Sequence, residues 1–178
     1  MTDAETSVPA TPFWRFSLYL YRQAGVSEAC IVLQDDCGVD VNLLLFLLWL
    51  AAERRQLSAD DVKRLDDQVR DWRNLTIAPI RDARRRLKGA KTLVDPVDQE
   101  AFRSKVKAIE LDAERLQQQA LYRLTQSGPL GAEAAPVVAA HANIAAYERV
   151  LALRFPKASV DILLSAFAGI EHKSFAAP

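Results

Sequence analysis

The residues whose types and spacing could do chemistry begin with Gln34, Asp35, Asp36, Gly38, Asp40 and Asn42, which set three carboxylates within six positions around a glycine. Carboxylates this close could hold a divalent cation through oxygen ligands, and the Asp36-x-x-x-Asp40 spacing is one that helical enzymes acting on diphosphates also use. Gly38 argues against the analogy, because a glycine between the two aspartates is expected to end a helix there and turn them onto different elements. The preferred reading is that Asp40 caps the helix that follows, where the partial positive charge of a helix start favours a carboxylate, while Asn42 bonds nearby backbone. A cation held by Asp35, Asp36 and Asp40 is the alternative.

The second group is basic. Arg81, Arg84, Arg85 and Lys88 step by three and four, which puts them on one helix face, and Arg86 follows Asp82 by four. Residues 53–91 carry twelve basic and seven acidic side chains within a chain whose formal net charge is zero. An arginine fork suits phosphate oxygens, so this face could take phosphate or nucleic acid. The preceding segment holds Asp60, Asp61, Asp66, Asp67 and Asp71, however, and a solvated or internally paired face is the preferred expectation. If the acidic turn 34–42 and the basic helix 81–88 face each other, they could bind a cation and a phosphate-like anion between them.

Other groups point away from common chemistry. Cys30 and Cys37 with His141 and His172 lack the spacing of a four-ligand zinc site, so reduced, packed thiols are expected. His141 lies in an alanine-rich stretch with no partner nucleophile placed by sequence, and is expected to pack. Trp14, Trp49 and Trp72 fall in apolar stripes and read as core. There is no P-loop, dinucleotide fingerprint or zinc-protease motif. No cofactor is expected, and balanced overall charge argues against nucleic acid as a partner.

The elements that must position these residues read as helices throughout. Thr11 before Pro12 caps a helix with Phe13, Phe16 and Leu20 on one face, and Ser27 is expected to cap a second that Gly38 ends. From about residue 40 to 56 runs a helix whose block Leu43–Leu50 is apolar on every face, so it must be central and wrapped by others. The apolar run Leu43–Ala52 is about half of the roughly 20 residues needed to cross a bilayer as a helix. Ser58 and Asp61 form a capping box before the stripe Val62, Leu65, Val69 and Trp72. Thr76 and Pro79 mark a fresh start, with Ile80, Ala83 and Leu87 on the inner side and the arginines outside.

Asp95 and Pro96 open the longest helix. Its seam of Phe102, Val106, Ile109, Ala113, Leu116 and Ala120 has heptad spacing. A matching stripe, Val137, Ala140, Ile144, Tyr147 and Leu151, predicts that the two pair as a C-terminal antiparallel hairpin. A last helix spans about 159–167. The fold class is therefore all-α: one domain over residues 12–170, in subregions 12–89 and 95–167, with seven or eight helices around the 40–56 helix. Residues 1–11 and 171–178 are expected to be disordered or flexible tails. The start is polar, with Asp3 and Glu5, and lacks the pattern of a secretory signal, so a soluble cytoplasmic protein is expected.

The pattern FWxF, LY and QDDxGxDVNLLLFxxWL, carried by Phe13, Trp14, Phe16, Tyr21 and the run from Gln34 to Leu50, resembles the signature of an uncharacterised bacterial family labelled a domain of unknown function. Trp72, Pro79, Arg81, Arg84, Arg85, Leu87 and Lys88 resemble its second block, so the likeness spans Phe13 to Lys88. It implies kinship and no activity. The functional expectation rests on the heptad seam and the lack of a catalytic set: a non-enzymatic interaction or assembly module with a protein partner or a second copy of itself. An enzyme or small-molecule binder using the acidic turn and basic helix is the alternative, and a nucleic-acid accessory protein is the second.

Overall fold

The computed structural model describes residues 10–170, so the expected tails lie outside the described residues except for Ala10 and Thr11. Over the described residues the chain is all-α apart from one pair of two-residue strands. In order it forms α1 (Pro12–Tyr21), α2 (Val26–Cys37), α3 (Val41–Ala52), β1 (Arg55–Gln56) and α4 (Ala59–Trp72). A π-helical turn, Arg73–Ile77, leads into α5 (Ala78–Leu87), followed by α6 (Pro96–Leu124), β2 (Ala132–Glu133), α7 (Pro136–Leu151) and α8 (Lys157–Ala168).

The apolar block predicted to be central is so. Every residue of α3 from Asn42 to Ala51 is buried, and α1, α2, α6 and α7 all pack against it. Trp49 sits among the rings of Phe13, Phe46 and Tyr122, with centroids 5.6–5.7 Å away. Thr11 caps α1 through its hydroxyl, which accepts from the Trp14 N–H at 3.0 Å. Gly38 ends α2 in the left-handed conformation (φ 66°), which a side chain would strain. The Ser58–Asp61 capping box is complete. Ser27 does not cap α2; Gly25 stands at that position, and the Ser27 hydroxyl donates to Glu28.

Four further expectations are corrected. The central helix stops at Ala52 instead of running to 56, because Arg54 takes a positive φ of 61° and the chain leaves as β1. Asn143 on α7 fixes that exit: its Nδ2 donates to the Leu47 and Arg55 carbonyls, and its Oδ1 accepts from the Leu57 N–H at 2.7 Å. β1 pairs antiparallel with β2, Arg55 opposite Glu133, and a Cβ on Gly131 would collide with the Gln56 carbonyl.

Second, the helix of α4 does not restart at Thr76–Pro79. Pro79 has no N–H to donate and crowds the carbonyl one turn back. The helix widens into the π turn, where the Ala78 N–H reaches the Arg73 carbonyl, and continues into α5. Third, α6 and α7 do not form a hairpin. α7 packs on α3 and α4, whereas α6 packs on α5, α3 and α1, so α3 separates them. Fourth, His141 is exposed and does not pack.

Candidate functional site

The inner face of α4, the π turn and α5 is one continuous line: Val62, Asp66, Val69, Arg73, Ile77, Arg81 and Arg84. Residues four apart drift around an α-helix, and the wider π turn takes up that drift. Arg81 and Arg84 are thereby turned inward onto α6, and Arg73 onto Asp40 and Asp66. Ala83, expected on the inner side, is exposed, and the arginines expected outside do the packing.

α6 is displaced in the same sense. Its buried residues are Glu110, Ala113, Gln117, Gln118 and Leu121: of the apolar seam that the heptad count predicts to be inside, Ala113 is buried, while Glu110, Gln117 and Leu121 each lie one position on from a seam residue. Phe102, Ile109 and Leu116 are 58 %, 55 % and 53 % exposed. The polar face is inside because it has partners there. Glu110 accepts from Arg81 Nε at 2.9 Å and from Arg84, and Glu114 accepts from Arg81 Nη2 at 2.6 Å.

One helix turn further along, Asp40 gathers the N-terminus of α3, the π turn and α6. Its Oδ1 accepts from the Leu43 N–H at 3.1 Å, and its Oδ2 accepts from Gln117 Nε2 at 2.7 Å and Arg73 Nη1 at 3.1 Å. Arg73 also reaches Asp66 at 2.8 Å. The Tyr147 hydroxyl accepts from the Asp40 N–H at 3.0 Å, and Gln118 Nε2 donates to Asn42 at 2.8 Å. Gln117 Oε1 and Gln118 Oε1 are buried and meet no donor among the described residues.

The electrostatics follow from these contacts. Burial pushes the Glu110 carboxyl up, but the hydrogen bonds of Arg84 and Arg81 outweigh it and hold the group below the usual carboxylate range. At Glu114 burial wins over Arg81, and the carboxyl is raised. Burial works against the Arg73 charge, yet Asp66 and Asp40 keep it firmly protonated. Burial and the Asp40 charge push the Tyr147 hydroxyl up, so it stays neutral.

The residues singled out in the sequence thus part company. Asp40 is a buried cap, as preferred, and Asn42 bonds a side chain of α6 rather than backbone. Gln34, Asp35 and Asp36 stay near the surface at the end of α2. The acidic turn and the basic helix do face each other, through direct contact: Arg85 Nη2 donates to Asp35 Oδ1 at 2.8 Å. Arg86 pairs with Asp82, and Lys88 makes no ion pair among the described residues. No three His, Cys, Asp or Glu side chains among the described residues converge to hold a metal ion. Arg73, Glu110, Glu114, Gln117 and Gln118 were not foreseen, and Asp66, set by the sequence against the basic stripe, pairs with Arg70 and Arg73 instead. Their signal was register: Asp66 and Arg73 share a face with Val62 and Val69.

On its outer side α6 presents a row of apolar side chains to solvent. Trp72, expected in the core, is instead 39 % exposed and donates its indole N–H to the Ala113 carbonyl at 3.0 Å. No helix among the described residues is long and apolar enough to cross a membrane.

Residues 12–121 match the family described as Protein of unknown function (DUF2390), and the chain belongs to that family. The match runs past Lys88, where the likeness read from sequence stops, and takes in the buried face of α6 as far as Leu121. No curated protein and no solved structure matches the chain.

Proposed function

We propose that this family member is a non-enzymatic helical interaction module of the cytoplasm, which docks a protein partner along the outward face of α6. The observation that carries this reading is the row Phe102, Ile109 and Leu116, each more than half exposed at heptad spacing on the longest helix. Three large apolar side chains aligned on one helix face cost solvation unless something covers them, and seven-residue spacing is the pattern by which one helix receives another. The polar groups beneath the row support the same reading from the other side. Arg81, Arg84, Glu110, Asp40, Arg73 and Asp66 are engaged with one another, so they hold α6 in place and leave little to receive a substrate.

The test is a photoreactive amino acid placed at position 109 of the full chain in its host cell. A discrete covalent adduct is expected from 109 and none from position 104, which is exposed on α6 but off the row. Equal labelling from both positions, or none from either, would remove the basis for a docking face.

A further inference from the structure

Resting on the reading of α6 as a docking face, we infer that its occupant is a second copy of this chain, bound antiparallel about a two-fold axis at Ile109. Phe102, Ile109 and Leu116 are evenly spaced, each step about 10 Å of helix rise, so Ile109 is the midpoint of the row. When a second α6 is laid antiparallel with Ile109 opposite Ile109, Phe102 of each copy meets Leu116 of the other. The same patch then serves both subunits, as a two-fold interface requires. Ala101, Ala108 and Ala120 are exposed beside the row, and their small side chains let two helices approach closely.

Charge selects the direction. Lys105 and Asp112 each stand four residues before an apolar residue of the row, on the same flank, and both are exposed with no ion pair among the described residues. In an antiparallel pair the same flanks of the two helices meet, which sets Lys105 of each copy beside Asp112 of the other. Symmetry makes that contact twice. A parallel pair would set this flank against the opposite one, where Glu110 and Gln117 are already buried in the chain's own interior and are out of reach.

Sedimentation equilibrium on the full chain tests this directly. The wild type is expected at twice the 19.8 kDa chain mass, and Ile109→Lys, at a half-exposed position, is expected to be a monomer with an unchanged far-ultraviolet circular dichroism spectrum. Lys105→Glu should weaken association on the order of tenfold at low salt by replacing two attractions with two repulsions. Adding Asp112→Lys to the same chain should restore it. A wild type that stays monomeric at high concentration, or a dimer that Ile109→Lys leaves intact, overturns the inference. Failure of the double swap to recover overturns the antiparallel arrangement. A monomeric wild type whose position 109 is cross-linked to a different protein overturns the second copy alone, whereas a monomer with no adduct at 109 overturns the docking face as well.

Discussion

Gln117 donates its side-chain N–H to Asp40 across 77 positions of sequence, at 2.7 Å, so the carboxylate that caps the central helix also anchors the longest one. Asp40 therefore does two jobs that a surface cap does not. Replacing it with Ala removes the cap of α3 and leaves Arg73 with only Asp66. The expected loss is about 3–5 kcal/mol, the range for breaking a buried ion pair, and Asp40→Asn, which keeps an oxygen for the Leu43 N–H, should lose less. Urea unfolding measures both. An Asp40→Ala loss under about 1 kcal/mol would mean the network is not structural.

Glu110 and Glu114 lie one turn apart and should respond to pH in opposite senses. The Glu110 carboxyl is lower in the folded chain than in the unfolded one, so its contribution is present above the unfolded value near 4.5 and is lost as pH falls through the folded value. Glu114 is raised, so its contribution is present below 4.5 and is lost as pH rises through its folded value. At neutral pH Glu110→Gln should cost about 3 kcal/mol, the low end for a buried pair, since both arginines keep some contact with solvent. That cost should shrink toward pH 3.5. Glu114→Gln should leave neutral stability unchanged or raised. Unfolding curves at the two pH values decide, and matching pH profiles for the two variants would contradict the assignment.

The two thiols should separate in reactivity. Burial pushes the Cys30 thiol up to about 12, and it is fully enclosed, while Cys37 is raised less and is part-exposed. The thiolate is the reactive form, so a disulfide reagent at pH 8 should titrate one thiol per folded chain, slowly, and two in denaturant. Cys37→Ser should abolish the native reaction. Two fast thiols in the folded state would show that α2 opens readily.

Helix content, caps and the central core were legible in the sequence because each is a local signal. Thr11, Ser58 and Asp95 cap where their spacing to the next backbone N–H says they should. The apolar block Leu43–Leu50 can only be central, since no face of it suits water. The failures are failures of partner assignment. The seam of α6 has heptad spacing, but such spacing says that a helix wants a partner and not which one. Within the chain the inner face went to Glu110, Gln117 and Gln118, because Arg81, Arg84 and Asp40 offered ion pairs and hydrogen bonds that the apolar row could not use. Pro79 misled for a similar reason: a proline marks a disturbance in the helix, and a π turn is one way of absorbing it without a break.

The last prediction separates arginines that the sequence treats alike. Arg84 is turned inward onto Glu110, which is 5 % exposed, whereas Arg85 reaches Asp35 between two side chains that are themselves substantially exposed. Removing an inward cation strands a buried carboxylate, while an exposed pair contributes roughly 0–1 kcal/mol. Arg84→Ala should therefore cost about 3 kcal/mol in urea unfolding, and Arg85→Ala less than about 1. A phosphate-binding stripe would behave differently. Both variants would then weaken binding of short duplex DNA or RNA, and the wild type would bind with a steep dependence on salt. With Arg81 and Arg84 committed to Glu110 and Glu114, binding is expected to be no tighter than the non-specific range of roughly 10⁻⁴ to 10⁻⁶ M at physiological salt, and Arg85→Ala should change it little. Nanomolar affinity lost in Arg85→Ala, with its stability intact, would assign this face to nucleic acid instead.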